Sequence, residues 1–407
     1  METIGDYVHE WGGKQAYPCR TTIDDETFRD GSQASYVLQP TLEEKQTALH
    51  IMDEIGIEHA DIGFPRNGET ELADVVGLVR YKQRNGLKIQ LSCAGRTLEE
   101  DVQSIIQASE AGGEALRADL FIGSSEIRKL AEDWDLVNQM IPNVRKSVTL
   151  AVKAGLPVMF VTEDTTRAHP ETLRILYSEA INCGATRICV ADTVGYATPH
   201  KTAALLEFTK KEIIKGQDIK VDWHGHRDQG LALANAIAAL TAGVDCIHAT
   251  AGGVGERAGN LEMHLLLNYL VRENINNYNL NLLTEYSQFM SKITGVSIPV
   301  NEPLVGEGSL ETASGVHAAA ILNAQKHGRP DLAGIVYFPF DPTTIGRRMD
   351  IKISRKSGRA NAVLVLKEMF NDGTEDEVQA LLAAAQTSNH SLSDQEIRSI
   401  ARRAKKS

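Results

Sequence analysis

Two histidines separated by one residue, His224 and His226 in Val221-Asp-Trp-His-Gly-His226, fall on the same side of any strand that carries both, because side chains alternate along a strand. Two imidazoles and one carboxylate leave open positions on a divalent cation, the pattern of a catalytic rather than a closed structural site. The carboxylate that can complete the set is Asp30, in Asp25-Glu-Thr-Phe-Arg-Asp-Gly-Ser-Gln33, where the adjacent Arg29 supplies a permanently charged donor fork. Taken alone, Arg-Asp-Gly reads as a surface ion pair at a turn and His-x-His as a structural feature; together they favour metal binding. Mixed nitrogen and oxygen donors suit Mg2+, Mn2+ or Zn2+ and do not choose among them. A third stretch, Thr250-Ala-Gly-Gly-Val-Gly-Glu-Arg-Ala-Gly-Asn-Leu-Glu262, has the small residues that let backbone approach a ligand, and a helix start after Gly259 is expected to offer free N–H groups to an anion. Glu163, in Thr162-Glu-Asp-Thr-Thr-Arg167, reads equally as a general base or as a carboxylate at a helix N-terminus.

The elements that must position these groups recur as a unit: a short β-rich stretch, then an amphipathic helix. Eight strands are predicted, over Thr21–Phe28, Ile57–Phe64, Leu87–Cys93, Leu116–Ile122, Leu156–Thr162, Thr186–Ala191, Ile219–Trp223 and Val244–Thr250. The first helix has Thr41 as N-cap with Glu44 completing a capping box, and Gly56, Gly155, Gly184 and Gly243 suit the left-handed position that ends a helix. Apolar strands alternating with helices imply a parallel sheet covered on both faces, and eight units in about 250 residues point to a (β/α)8 TIM barrel; a doubly wound open sheet is the alternative. In such a barrel the active site lies at the carboxyl ends of the strands, where Asp30, Glu163, His226 and the Gly-rich stretch all fall. After about Leu270 the rhythm breaks. An Asn-rich joint, Asn274–Asn281, leads to mostly helical chain, with turns at Tyr337–Pro342 and a basic run, Arg402–Lys406, that reads as a solvated terminus.

The 407 residues accommodate such a barrel plus an appendage, and 42% hydrophobic with 24% charged residues excludes wholesale disorder. Aromatics are only 5%, so aliphatic residues and Ala are expected to fill the core. A net charge of -12 argues against a general nucleic-acid or membrane-surface binder, and no run is long enough to span a membrane. The five cysteines are scattered and odd in number, and the opening residues carry no secretory pattern, so a reducing cytoplasm is expected.

Asp25–Gln33, His224-Gly-His226, Gly253–Asn260, Asp192-Thr-Val-Gly-Tyr196 and Ser314-Gly-Val-His317, in that family's signatures, make residues 20 to 365 resemble the α-isopropylmalate synthase and homocitrate synthase family, acyl-CoA-condensing relatives of hydroxymethylglutaryl-CoA lyase. The resemblance implies a divalent metal on Asp30, His224 and His226, with Asn260 at or beside it. It implies catalytic roles for Arg29, Glu163, His317 and Tyr337, and substrate contacts from Arg96, Thr193, Gly255 and Arg227. It also implies acetyl-CoA and a 2-oxo acid as substrates, and a homodimer in which the region after the barrel reaches a partner's barrel. The expected organisation is a catalytic barrel over residues 1–275 and a linker with helical subdomains over 276–407, with no leucine-sensing domain.

Several positions depart from the family pattern. Arg227 and Gln229 stand where Asn and Leu are common, Arg128 ends a phrase that usually ends in His, Asp61 shortens a second-strand carboxylate, and Gly252 replaces an Asn. The added arginines can recognise a further carboxylate or phosphonate on the oxo acid, or face solvent and partner groups. The expected activity is condensation of acetyl-CoA with a 2-oxo acid, most simply 3-methyl-2-oxobutanoate, to a 2-alkylmalate. Homocitrate and citramalate formation are alternatives, and a lyase is disfavoured because Gly252–Asn260 lacks the lyase's cysteine.

Overall fold

The computed structural model describes residues 7–9, 11–13 and 15–405. The first six residues, on which the reading of the chain's start partly rests, and Lys406 of the basic run lie outside them. The chain divides into two compact units, Gln15–Ile298 and the remainder, which consists chiefly of residues from Pro299 onward.

In the larger unit, eight strands form a closed, all-parallel barrel: β1 (Thr22–Asp25), β2 (His59–Asp61), β3 (Gln90–Arg96), β4 (Arg117–Gly123), β5 (Val158–Glu163), β6 (Arg187–Asp192), β7 (Lys220–Gly225) and β8 (Cys246–Ala249). Each overlaps a predicted segment, so the open sheet is excluded. β8 pairs with β1 in the register Thr22↔Cys246 to Asp25↔Ala249. The helices bury an apolar stripe against the outside of the barrel. In helix Leu42–Ile55, for example, Ala48, Leu49, Met52 and Ile55 are at most 2% exposed, at about 1.5–3 kcal/mol for each large side chain. Thr41 and Glu44 form the reciprocal capping box, and Gly56 ends the helix at φ 99°.

The lumen differs from the expectation of an aliphatic filling. Arg117 pairs with Asp24 and Asp119, both at 2.6 Å, and Arg187 pairs with Asp222 at 2.5 Å. Asp222 in turn lies 3.3 Å from His248, which is 2.7 Å from Glu26. All are buried or nearly so. Aliphatic residues and Ala fill the layer between strands and helices, while the lumen is held by charge pairs, of which Arg117–Asp24 and Arg187–Asp222 join different strands.

The predicted boundary at 275/276 falls between helices Met263–Arg272 and Leu283–Thr294, and both of these helices belong to the barrel unit. The smaller unit contains helices Gly315–Lys326, Pro330–Ile335, Arg359–Phe370, Glu375–Thr387 and Asp394–Ala404, with one parallel pair of two-residue strands, β9 (Glu311–Thr312) and β10 (Asp350–Ile351). Ala318, Ile321, Ile353, Ala362, Leu366 and Leu381 form its core. Arg402 and Arg403 are exposed in the last turn, where cations complement the helix dipole.

Candidate active site

At the carboxyl end of the barrel, a cavity of about 280 Å3 is lined by Asp30, His224, His226, Arg29, Thr193 and Glu163, by the apolar Ala94, Phe121, Met159 and Val161, and by the buried Glu26, Asp61, Asp119 and His248.

β1 runs into a wound turn, Thr27–Gly31, which carries Arg29 and Asp30 into the mouth. Gly31 is needed there, because a Cβ would sit 2.8 Å from the Val254 side chain. Alternation along β7 sends His224 inward, and His226 follows directly after the strand. Their Nε2 atoms face each other at 3.3 Å, and Asp30 Oδ2 is 3.6 Å from His226 Nε2. Donors about 2.1 Å from one shared ion are separated by about 3.0–3.4 Å, so the imidazole spacing is that of co-ligands. One ligand atom from each of Asp30, His224 and His226 lies within 4.8 Å of the others. Asn260 donates its amide to Asp30 and, at 3.1 Å, to the Val254 carbonyl. Its Oδ1 is then buried with no partner. The loop that carries Asn260 is cross-braced: its N–H donates to Gly253 O at 3.0 Å, and Gly255 (φ 154°) leaves room for the Asn260 and Asp30 side chains.

A second grouping, Glu26, His224 and His248, is also compact enough for an ion. Protonation separates the two. Burial alone would depress His248, but hydrogen bonds to Asp222 and Glu26 raise it to about 10, so at neutral pH it is an imidazolium without a lone pair to give. Burial takes His224 down to about 3, opposed by Glu26, and burial likewise lowers His226. Both rings are neutral, and each has a free nitrogen lone pair. Burial pushes Asp30 up, but the charge of Arg29 and the hydrogen bond from Asn260 hold it below the usual carboxylate range. One anionic carboxylate, two neutral imidazoles and an orphaned amide oxygen fit a hard or borderline divalent cation.

Arg29 is clamped by Glu26 at 2.5 Å, Asp30 at 3.3 Å and Asp61 at 3.3 Å. Burial and Glu26 together push Asp61 well above the ordinary aspartate value. Glu163, at the end of β5, is paired with Arg128 at 3.3 Å. Burial raises its carboxyl, and Arg128 and Arg29 offset part of that rise.

Other expected residues are placed as follows. Thr193 lines the cavity and accepts the Asp164 N–H at 2.8 Å. Gly255 O accepts from Tyr36 at 2.8 Å. Arg96 is held by Asp101 at 2.8 and 3.0 Å and lines a neighbouring cavity. Arg227 is paired with Glu262 and donates to Ala258 O at 2.7 Å. His317 and Tyr337 lie in the smaller unit, stacked at 3.6 Å, with His317 Nδ1 2.9 Å from Thr312 Oγ1. The expected anion site after Gly259 is corrected: the helix begins at Met263, and the N–H groups of Asn260, Leu261 and Met263 are spent on the carbonyls of Gly253, Gly225 and Thr250. Sequence reasoning missed Glu26, His248 and Arg257, the last bound to Asp228 at 2.8 and 3.0 Å and to Thr193 O at 2.6 Å. The signal available was alternation, since Asp222 lies two residues before the inward-facing His224.

Comparison with known proteins gives the family and the fold. The family model described as HMGL-like matches residues 20–290. The homocitrate synthase AksA of Methanopyrus kandleri is 32% identical over 92% of this chain and 89% of its own. The probable 2-isopropylmalate synthase of Ignicoccus hospitalis is 31% identical over 86% of this chain and 83% of its own. Among solved structures, hydroxymethylglutaryl-CoA lyase from Pseudomonas aeruginosa superposes with a TM-score of 0.58 at 18% identity, covering 69% of this chain and 95% of that one; this is a likeness of fold.

Proposed function

The chain belongs to the HMGL-like family, and on that footing we propose that it condenses acetyl-CoA with a 2-oxo acid, most simply 3-methyl-2-oxobutanoate, and hydrolyses the thioester to give 2-isopropylmalate and CoA. The observation that carries this reading is the meeting of Asp30, His224 and His226 in one cavity with Arg29 and Glu163.

Asp30, His224 and His226 would hold a divalent cation, with the Asn260 Oδ1 beside them. Such a cation supplies Lewis-acid polarisation of the ketone and a seat for the adjoining carboxylate. Glu163 takes a proton from the thioester methyl, and the carbanion attacks the ketone carbon. Arg29, fixed by Glu26, Asp30 and Asp61, faces the alkoxide that forms, so its donors need no reorganisation during the step. His317 and Tyr337 are assigned to the later proton transfers, brought by the smaller unit of a second subunit in a homodimer. The acceptor's side chain is assigned to the wall of Ala94, Phe121, Met159 and Val161. Arg29, Arg257 and His248, the cations of this cavity, are already paired with carboxylates, which favours an oxo acid with an uncharged branched side chain over a diacid. All five cysteines are free, which accords with a reducing cytoplasm.

Thiol release from acetyl-CoA across a panel of 2-oxo acids tests the proposal. Release is expected with 3-methyl-2-oxobutanoate. Silence with every acceptor in the presence of Mg2+, Mn2+ or Zn2+, or cleavage of hydroxymethylglutaryl-CoA in its place, refutes it.

A further inference from the structure

On one side β7 stays paired with β6 up to Asp192↔Gly225, but on the other its register with β8 ends at Trp223↔Ile247. At the height of the metal-ligand cluster, β7 is met there by the returning stretch Gly259–Leu261 instead, through a single bridge between His226 and Asn260. Two backbone bonds serve that bridge, Arg227 N–H to Gly259 O at 2.9 Å and Leu261 N–H to Gly225 O at 3.3 Å. The loop leading into the stretch has little conformational bias of its own, since Gly252, Gly253, Gly255 and Gly259 all take positive φ. The separation of the His226 imidazole from the Asn260 side chain therefore depends on what else fastens these two segments.

Two arginines do so, each reaching from one loop to the other. Arg227, next to His226, donates from Nε to Ala258 O at 2.7 Å and pairs through Nη1 with Glu262. Ala258 and Glu262 stand on either side of Asn260 in the chain, so one planar fork brackets it. Arg257 runs the opposite way. It donates to both carboxylate oxygens of Asp228, just beyond His226, at 2.8 and 3.0 Å, and to Thr193 O in the loop after β6 at 2.6 Å. In doing so it holds a left-handed φ of 56°, uncommon for a residue with a side chain. The side chains are 36% and 15% exposed in the Arg227–Glu262 pair and 41% and 23% exposed in the Arg257–Asp228 pair. Ion pairs this open to solvent add little to global stability. Their crossed arrangement instead holds two chain segments in one relative position.

We propose that Arg227 and Arg257 are positioning residues for the cation site: their crossed bonds fix the separation of His226 and Asn260 before an ion arrives, and so raise the site's affinity for a divalent cation. The proposal rests on the ligand assignment above. Freedom that the two loops have already lost is not lost again when the ion binds, which is the source of the gain. With Nε and Nη1 spent on Ala258 O and Glu262, Arg227 is a brace between loops rather than a reader of substrate charge.

Titration of the chelator-stripped full chain with Mn2+, the unbound ion being followed by electron paramagnetic resonance, tests the proposal without depending on turnover. Arg227→Gln and Arg257→Gln are each expected to bind Mn2+ about ten-fold more weakly than the parent, the lower end of what outlying partners of a metal site contribute. Their metal-free melting temperatures should stay within about 2 °C of the parent's, because the lost pairs are solvent-exposed. Arg227→Lys keeps a charge for Glu262 but cannot also reach Ala258 O, so its affinity should fall between those of Arg227→Gln and the parent. Two results overturn the proposal. One is parent-like Mn2+ affinity in both glutamine variants; an altered order of preference among 2-oxo acids in Arg227→Gln would then make that arginine a reader of substrate. The other is weakened affinity together with a metal-free protein that melts several degrees lower, which reduces the arginines to general scaffold. A parent chain that takes up no Mn2+ overturns the ligand assignment as well, whereas a parent and variants that bind equally leave that assignment standing. If the affinities fall as expected but no oxo acid elicits thiol release, the brace stands and the condensation reading fails.

Discussion

Replacing His248 by leucine should destabilise the barrel by several kcal/mol at neutral pH, and the deficit should shrink as pH rises. His248 is 3% exposed and lies between two buried carboxylates, Glu26 at 2.7 Å and Asp222 at 3.3 Å. Its rise from the ordinary 6.5 to about 10 corresponds, at 1.36 kcal/mol per pH unit, to about 5 kcal/mol of pairing free energy. Stranding a buried charge by removing its partner costs a similar 3–5 kcal/mol. Because the folded value lies above the unfolded one, this stability is fully present below pH 6.5 and is lost as pH climbs through 10. For a unit of this size, 3–5 kcal/mol is about 5–8 °C in Tm. Differential scanning calorimetry of the parent, His248→Leu and the double variant Glu26→Gln/His248→Leu, at pH 6, 7.5 and 9.5, measures it. The gap between parent and His248→Leu should be widest at pH 6, and neutralising Glu26 should restore part of the loss because the two sites are directly coupled. A His248→Leu protein that melts within 2 °C of the parent, or a gap that does not change with pH, refutes an imidazolium bridging these two carboxylates.

His226→Ala should abolish both metal retention on gel filtration and thiol release, as elemental analysis and a thiol assay would record; undiminished metal content removes the ligand assignment. The acid limb of the kcat/KM profile should lie above the ordinary glutamate range, because burial raises Glu163 and its basic form is lost as pH falls. In Arg128→Met that limb should move to higher pH, since Arg128 is a main influence holding Glu163 down; a profile that does not shift separates Arg128 from the base.

The strand count, the barrel and the Thr41 capping box are legible in the chain because each is written in neighbouring residues: a period, a cap, a glycine. The meeting of Asp30 with His224 and His226 is legible too, once the strands are known to close, because the carboxyl ends of all eight strands share one mouth. The lumen is not. Arg117 and Asp24 are 93 positions apart, and nothing local in either residue tells which of several charges it will face. For the same reason Arg128 and Arg227 look alike as departures from a motif, yet one lies against Glu163 and the other braces the Glu262 loop. Which partner an arginine meets is a property of the register between distant strands.

Asp30 follows β1, His224 and His226 sit on and just past β7, and Asn260 follows β8, so the cluster straddles the seam where the first and last strands of the cylinder meet. The Asp222–His248–Glu26 chain crosses that same seam. A chain still being synthesised therefore holds only a fragment of the site until its eighth strand has emerged and docked. Chemistry is withheld until architecture is finished, and an ion held by Asp30, His224 and His226 would tie the turn after the first strand to the seventh.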